Sequence, residues 1–293
     1  MTRAPSRRWS GAWAVRAAPA PADVDVLIPT VGRAAELGVT LAGLAAQESP
    51  AFRVVVADQA PDDGVTAHPS IRAMVRVLEA EGRQVDVVRR TERRGLAEQR
   101  QFLLDHATAP YVLFLDDDVW LEPGSLARMH TAIEELGCGV VGQAVQGLSY
   151  LDDERPWERE PFEPWNGPVL PERIRPGMHE FERWRLHNAA NLAHLAAELH
   201  LEPGEWRAYH VAWTGGCTMY DREALVSVGG FDFWQALPEA HAGEDVAAQW
   251  RVMERYGGVG IVPSGAVHLE APTTVPDRRV NATEVVFSDA TSR

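Results

Sequence analysis

Between residues 24 and 145, short apolar runs alternate with stretches of helical spacing, and this alternation restricts the fold more than any other feature of the chain. VDVLI (24–28), FRVVVA (52–57), QVDVV (84–88) and YVLFL (111–115) have the length and the β-branched or aromatic content of buried strands. Between and after them the spacing predicts helices over 34–47, where Leu37, Leu41 and Leu44 share a side, and over 70–81, 95–107 and 123–136. The last of these opens near Pro123, a favoured first-turn residue. GVVGQAV (139–145) reads as one more strand. Strands that alternate with helices form a mostly parallel sheet covered on both faces, joined by right-handed crossovers. The expected class is therefore α/β with a mostly parallel central sheet and helices on both faces.

The rest of the chain is less regular. Residues 1–22 are rich in alanine and proline and read as a disordered arm. Its twin arginines, Arg7 and Arg8, sketch an export signal, but the apolar part that follows is short and is broken by Arg16. Residues 151–176 hold six prolines and two tryptophans and read as a long irregular loop, with a helix at about 180–199 beyond it. A compact stretch follows at 213–234, then a helix over 243–257 ended by Gly257, then a final strand in IVPSGAVHLE (261–270). The expected organisation is an arm (1–22), a first half (23–145), an inserted loop and helix (146–212), a second half of the same domain (213–270) and a polar tail (271–293). There is no internal repeat.

Charge and composition remove several classes. The formal net charge is −14, which disfavours a nucleic-acid or anionic-membrane surface. All 28 basic residues are arginine, so lysine-based chemistry is absent. Two distant cysteines, Cys138 and Cys217, do not make a disulfide framework. No run of about 18 apolar residues exists, so no membrane-spanning helix is expected.

In open parallel sheets, ligands bind beyond the carboxyl ends of the strands. Three features lie at such ends: Pro29-Thr30-Val31-Gly32-Arg33, Asp58, and Asp116-Asp117-Asp118. Parallel strands would bring them to one rim. Like charges so close repel by on the order of several kcal/mol in a partly desolvated site, and a divalent cation would offset that. On an extended stretch, Asp116 and Asp118 would share a face while Asp117 points elsewhere. The alternative for the three acids alone is a solvated turn capping the next helix. Neither GxGxxG after the first strand nor GxxxxGK[ST] anywhere is present, so the common dinucleotide and P-loop fingerprints are missing.

VDVLIPTVGR, FRVVVADQAPDD, RRGLAEQRQFLLDHATAPYVLFLDDDVWLEPGSL, GGCTMYDREALVSVGGFDFW, GEDVAAQWRV and GIVPSGAVHLE stand in an order that resembles the inverting glycosyltransferases of family 2, which have the GT-A fold. The resemblance covers most of residues 24–270 but not about 146–210. It implies transfer of a sugar from a nucleoside-diphosphate donor, UDP favoured, to an acceptor hydroxyl on a glycan, a lipid-linked intermediate or a small metabolite. Pro29, Thr30, Val31, Arg33, Asp58, Arg100, Asp116 and Asp117 would form the nucleotide site, with Asp58 on the base. Asp118, His268 and Asp116 would hold Mn²⁺ or Mg²⁺. Asp245 would be the general base, with Glu244 beside it, and Trp213, Gly215, Gly216 and His241 would face the donor sugar or the acceptor.

The match has departures. Val31-Gly32 replaces the usual aromatic-asparagine pair, Gln59-Ala60-Pro61 replaces the usual small-residue turn, and no QxxRW follows Asp245. The last of these, with no membrane helices, argues against a processive synthase. The tryptophans of 157–213 and the loop that carries them are expected to build the acceptor site. The implied setting is the cytoplasm, or the cytoplasmic surface of a membrane. A nucleotidyltransferase and a catalytically silent carbohydrate-binding scaffold on the same fold are the competing readings.

Overall fold

The computed structural model describes residues 7–18 and 20–288. Its first half is a run of β1 (Val24–Thr30), α1 (Ala34–Ala45), β2 (Phe52–Asp58), α2 (Pro69–Ala80), β3 (Gln84–Arg89), α3 (Leu96–Asp105) and β4 (Tyr111–Leu115). Then come β5 (Val119–Leu121), α4 (Ser125–Leu136), β6 (Val140–Gly142), α5 (Pro156–Arg159), α6 (Asn191–Leu199) and β7 (Arg207–Tyr209). The chain continues through β8 (Cys217–Asp221), α7 (Arg222–Ser227), α8 (Glu244–Tyr256), β9 (Gly258–Val262), β10 (Ala266–His268) and α9 (Ala282–Phe287).

Eight strands form the central sheet in the order β3-β2-β1-β4-β8-β6-β9-β7. The first four run parallel, as do β6 and β9, while β8 is antiparallel to both its neighbours and β7 to β9. Both faces are covered, which is why β1 reads as unbroken apolar sequence rather than alternating. Val24, Val26 and Ile28 pack with Leu37, Leu41 and Leu44 of α1 on one face. Leu27, Val112 and Phe114 pack with Leu103 of α3 and Trp250 of α8 on the other. Asp25 is the exception inside β1. It is fully buried and accepts from Arg53 Nε and Nη2, both at 2.8 Å, and from the backbone of Thr108 and Ala109. A buried carboxylate persists only when it is paired in this way.

The departures from the expected elements have local causes. The fourth helix starts at Ser125, not Pro123, because Gly124 between them is left-handed, with φ of 86°. The stretch 180–199 is a 3₁₀ segment, His179–His187, followed by α6, with left-handed Ala189 in the break. The expected last strand is two strands in different sheets, parted at Pro263, which lacks the amide hydrogen a ladder needs. β10 pairs with β5, three residues concealed in the sequence behind the three acids. At the N-terminal end, Arg7 pairs with Glu81 at 2.9 Å and Ser10–Ala12 form a 3₁₀ turn, so part of the arm lies against the turn after α2.

Among the described residues no helix is long and apolar enough to cross a membrane.

Candidate functional site

A cleft of about 570 Å³ opens beyond the carboxyl ends of β1 and β4. It is walled by the turn after β1, the first turns of α3, the acidic turn after β4, Trp213, the start of α8, His268 of β10 and residues 271–281.

The three acids do not alternate as an extended strand would have them. Val119 N donates to Asp116 O at 3.3 Å, closing a turn in which the period of two does not apply. Asp116 swings to Arg100, whose Nη2 lies 2.9 Å from its Oδ1. Asp117 and Asp118 share Arg33, whose Nη1 lies 3.1 Å from the first and 2.6 Å from the second. Thr30, the last residue of β1, donates to Asp117 at 2.6 Å, and Thr40 of α1 donates to the Asp117 carbonyl at 2.8 Å. Two arginines therefore supply much of the neutralisation expected of a cation. Burial still lifts the Asp117 carboxyl to about 6, against the opposing pull of Thr30 and Arg33. Arg33 itself stays above its ordinary value, because Asp117 and Asp118 outweigh the burial that opposes its charge.

The two-stranded sheet places the histidine. Pairing of β10 with β5 sets His268 opposite Val119, the residue after Asp118, and Leu269 N donates to Asp118 O at 2.8 Å. His268 Nε2 then lies 3.5 Å from Asp118 Oδ2. Among the described residues no three His, Cys, Asp or Glu side chains are grouped to hold a metal alone. The pair fits the other arrangement, in which one or two protein ligands share a hard divalent ion with substrate phosphates. Asp116 is not part of that pair, since it faces Arg100. His268 Nδ1 accepts from Glu270 N at 2.8 Å, so ligation through Nε2 requires this bond to open.

Arg100 joins the acidic turn after β4 to the start of α8. It is buried, and its Nε meets Glu244 Oε1 at 3.1 Å while Nη2 holds Asp116. Burial opposes its charge, but Asp116, Glu244 and Asp245 together outweigh that and hold its pKa above the ordinary value. Glu244 is thereby committed to Arg100. Among the described residues, Asp245, next in the chain, receives only a bond from Val246 N at 2.8 Å. Burial, then Glu244, raise its carboxyl to about 7, with Arg100 pulling the other way. Left-handed Gly243 turns the chain into α8 so that both acids sit in its first turn. Gly215 lies against the Asp245 carboxylate, and Gly216, with φ of 76°, passes beside Asp116, where a side chain would strike Val145. Trp213 faces the cleft, braced by Phe181 and by Trp250, whose Nε1 donates to Ala212 O at 2.8 Å.

Pro29, Thr30, Val31, Arg33, Arg100, Asp116, Asp117, Asp118, Trp213, Glu244, Asp245 and His268 thus share one cleft. Asp58, Gly215, Gly216 and His241 do not line it. The carboxylate of Asp58 is turned into its own loop, accepting from Ala60 N and Val65 N at 2.9 and 2.8 Å. Both ring nitrogens of His241 are used, Nε2 accepting from Ala97 N at the start of α3 and Nδ1 meeting Pro238 O. Among the described residues none from 146–212 lines the cleft; most of that segment's aromatics are spent on packing, while Trp157 and Tyr150 stay exposed elsewhere. Trp165 stacks on His210 at 3.8 Å, and Phe162, Phe181 and Trp184 pack on the second core cluster.

The wall expected from that insert comes instead from the tail: Thr273, Thr274, Val275, Arg278 and Asn281. One signal for it was available. N-A-T-E (281–284) is a helix-capping pattern, and Asn281 does cap α9 by accepting from Thr283 N at 3.0 Å.

The family described as Glycosyl transferase family 2 matches residues 25–226. Asp245, His268 and Arg278 lie beyond that match. No curated protein matches the chain. Among solved structures it is similar to the mannosyltransferase PcManGT of Pyrobaculum calidifontis, in complex with GDP-Man and Mn²⁺, at 19% identity and TM-score 0.55, covering 90% of this chain and 63% of that one. It is also similar to S. aureus TarS 1–349 in complex with UDP-GlcNAc, at 14% identity and TM-score 0.51, covering 86% and 60%. At these identities the likeness is one of fold, and the chain spans less than two thirds of either.

Proposed function

Because this chain belongs to glycosyl transferase family 2, we propose that it moves a sugar from a nucleoside-diphosphate donor, UDP-linked by preference, to an acceptor hydroxyl in one inverting step with Asp245 as base. The observation that carries this is the division of labour at the start of α8. Glu244 is tied to Arg100, while Asp245 keeps a carboxylate oxygen free in the same cleft as Asp118 and His268. A general base needs a free lone pair and a raised carboxyl pKa; burial and Glu244 raise the Asp245 carboxyl to about 7, and this supports the base role.

In the step, the acceptor oxygen bonds to the anomeric carbon and gives its proton to Asp245. The bond from that carbon to the diphosphate oxygen breaks, and its electron pair leaves with the nucleoside diphosphate. Thr30, Val31 and Arg33 hold the nucleotide side, and Trp213 offers an aromatic face to a sugar ring. Asp118 and His268 would hold Mn²⁺ or Mg²⁺, which when bound neutralises charge on the diphosphate. Asp58 already accepts from two amides of its own loop, so any contact it makes with the nucleotide base would use its remaining lone pairs.

Attack from the face opposite the leaving group inverts the anomeric centre, and this can be read without knowing the acceptor. With water as a slow acceptor, an α-linked UDP- or GDP-sugar yields the β-sugar first, followed by proton NMR before mutarotation. An α-sugar appearing first would overturn the single displacement.

A further inference from the structure

The cleft wall carries five carboxylates, Asp116, Asp117, Asp118, Glu244 and Asp245, against three guanidiniums, Arg33, Arg100 and Arg278. Arg33 and Arg100 are each held by two of those carboxylates. A diphosphate entering here meets a surplus of negative charge, and two of the three arginines are already engaged.

Arg278 differs from both. Among the described residues it has no ion pair, and its contacts are at the limit of hydrogen bonding, 3.4 Å to Val275 O and 3.5 Å to Thr273 Oγ1. The neighbouring acid, Asp277, is taken by Arg279 at 2.6 Å. The segment that carries Arg278 is fastened at two points on opposite sides of the cleft. Near its start, Pro272 O accepts from Arg33 Nη2 of the nucleotide side. At its end, Val280 O accepts from Ala242 N at 3.0 Å and Ala282 N donates to Ala242 O at 2.8 Å, two residues before Glu244. Residues 272–280 therefore span from the Arg33 side to the base side.

We propose that Arg278 is a further catalytic residue, the cation that this strap presents to the diphosphate of the donor and to the negative charge it gains as it leaves. The proposal rests on the nucleotide-sugar reading above. As the bond from the anomeric carbon to the diphosphate oxygen breaks, the electron pair stays on that oxygen. A planar guanidinium donates paired N–H bonds to phosphate oxygens, and it gains most from the form with the greatest charge.

The test is calorimetric titration of UDP, GDP and the matching nucleoside monophosphates into wild type, Arg278→Gln and Arg278→Lys, with Mn²⁺ present. Because Arg278 is exposed, the substitutions leave packing intact. Arg278→Gln is expected to weaken the diphosphate that wild type binds by about 10- to 100-fold, the scale of one charged hydrogen-bond set, and to leave the monophosphate nearly unchanged. Arg278→Lys should recover part of the loss. Equal diphosphate affinity in wild type and Arg278→Gln would overturn the role of Arg278 while leaving the donor site in place. Failure of wild type to bind either diphosphate would overturn the donor reading and this proposal with it.

Discussion

Replacing Asp245 with Asn lowers the rate of sugar transfer by about 10²- to 10⁴-fold, the usual worth of a positioned general base. Donor binding should hold or tighten, because a negative charge leaves a cleft that must take in a diphosphate. Glu244, one residue away, does not substitute, since its carboxylate is fixed on Arg100 at 3.1 Å. In wild type the acid limb of kcat/KM should fall near pH 7 rather than near 4, because burial and the neighbouring Glu244 charge raise the Asp245 carboxyl to about 7.

The same substitution should alter stability in a defined window. The folded carboxyl sits at about 7 against an ordinary 3.8, so between those values the folded state binds more protons than the unfolded one. Stability of wild type therefore falls as pH rises through this range, and the deficit is complete above it. Asp245→Asn should raise Tm at pH 8 and have no such effect at pH 3.5. Wild-type turnover in this variant would remove Asp245 from the mechanism.

The largest effect on folding belongs to Arg100. Arg100→Met leaves the buried Glu244 and the partly exposed Asp116 without their shared cation; breaking the buried pair costs about 3–5 kcal/mol, nearly all of it at Glu244 because water solvates Asp116. Urea unfolding measures it. The double variant Arg100→Met/Glu244→Gln should recover a good part of the loss, because it removes the stranded charge as well as the arginine. A loss below about 1 kcal/mol would mean that water already solvates these groups and that Arg100 is not the link between the two sides of the cleft.

Most of this fold was legible because β1, β2 and β4 are buried on both faces and β3, though half-buried at the sheet edge, is still rich in valine. β1 to β4 are apolar runs with helical spacing between them, and each appears within a residue or two of where that pattern puts it. The elements that sequence left out are short: β5 and β7 have three residues each and no period to detect. The meeting of the turn after β1 with the acids after β4 was legible from strand direction, whereas the place of Asp245 at the start of α8 was expected only from the family resemblance.

Which partner each acid takes was not legible. Asp116 and Asp118 part company because the chain turns there, and a turn does not obey strand alternation. Asp58 stands at the predicted strand end yet spends its carboxylate on two amides of its own loop. His241 is spent as a cap on α3. The aromatic insert looked like a sugar platform, but an exposed platform and a packed cover have the same composition. The tail looked featureless because a strap held by backbone bonds and one capping asparagine needs no hydrophobic pattern.

Titration of UDP and GDP with Mn²⁺ into wild type and Asp118→Asn, then repetition with a chelator, decides whether this cleft is a donor site. One nucleoside diphosphate is expected to bind wild type with Mn²⁺, to be lost with the chelator, and to bind Asp118→Asn weakly under either condition. Binding that is the same with and without metal and in both proteins would contradict the roles given to Asp118 and His268. No binding by wild type at all would contradict the donor site itself.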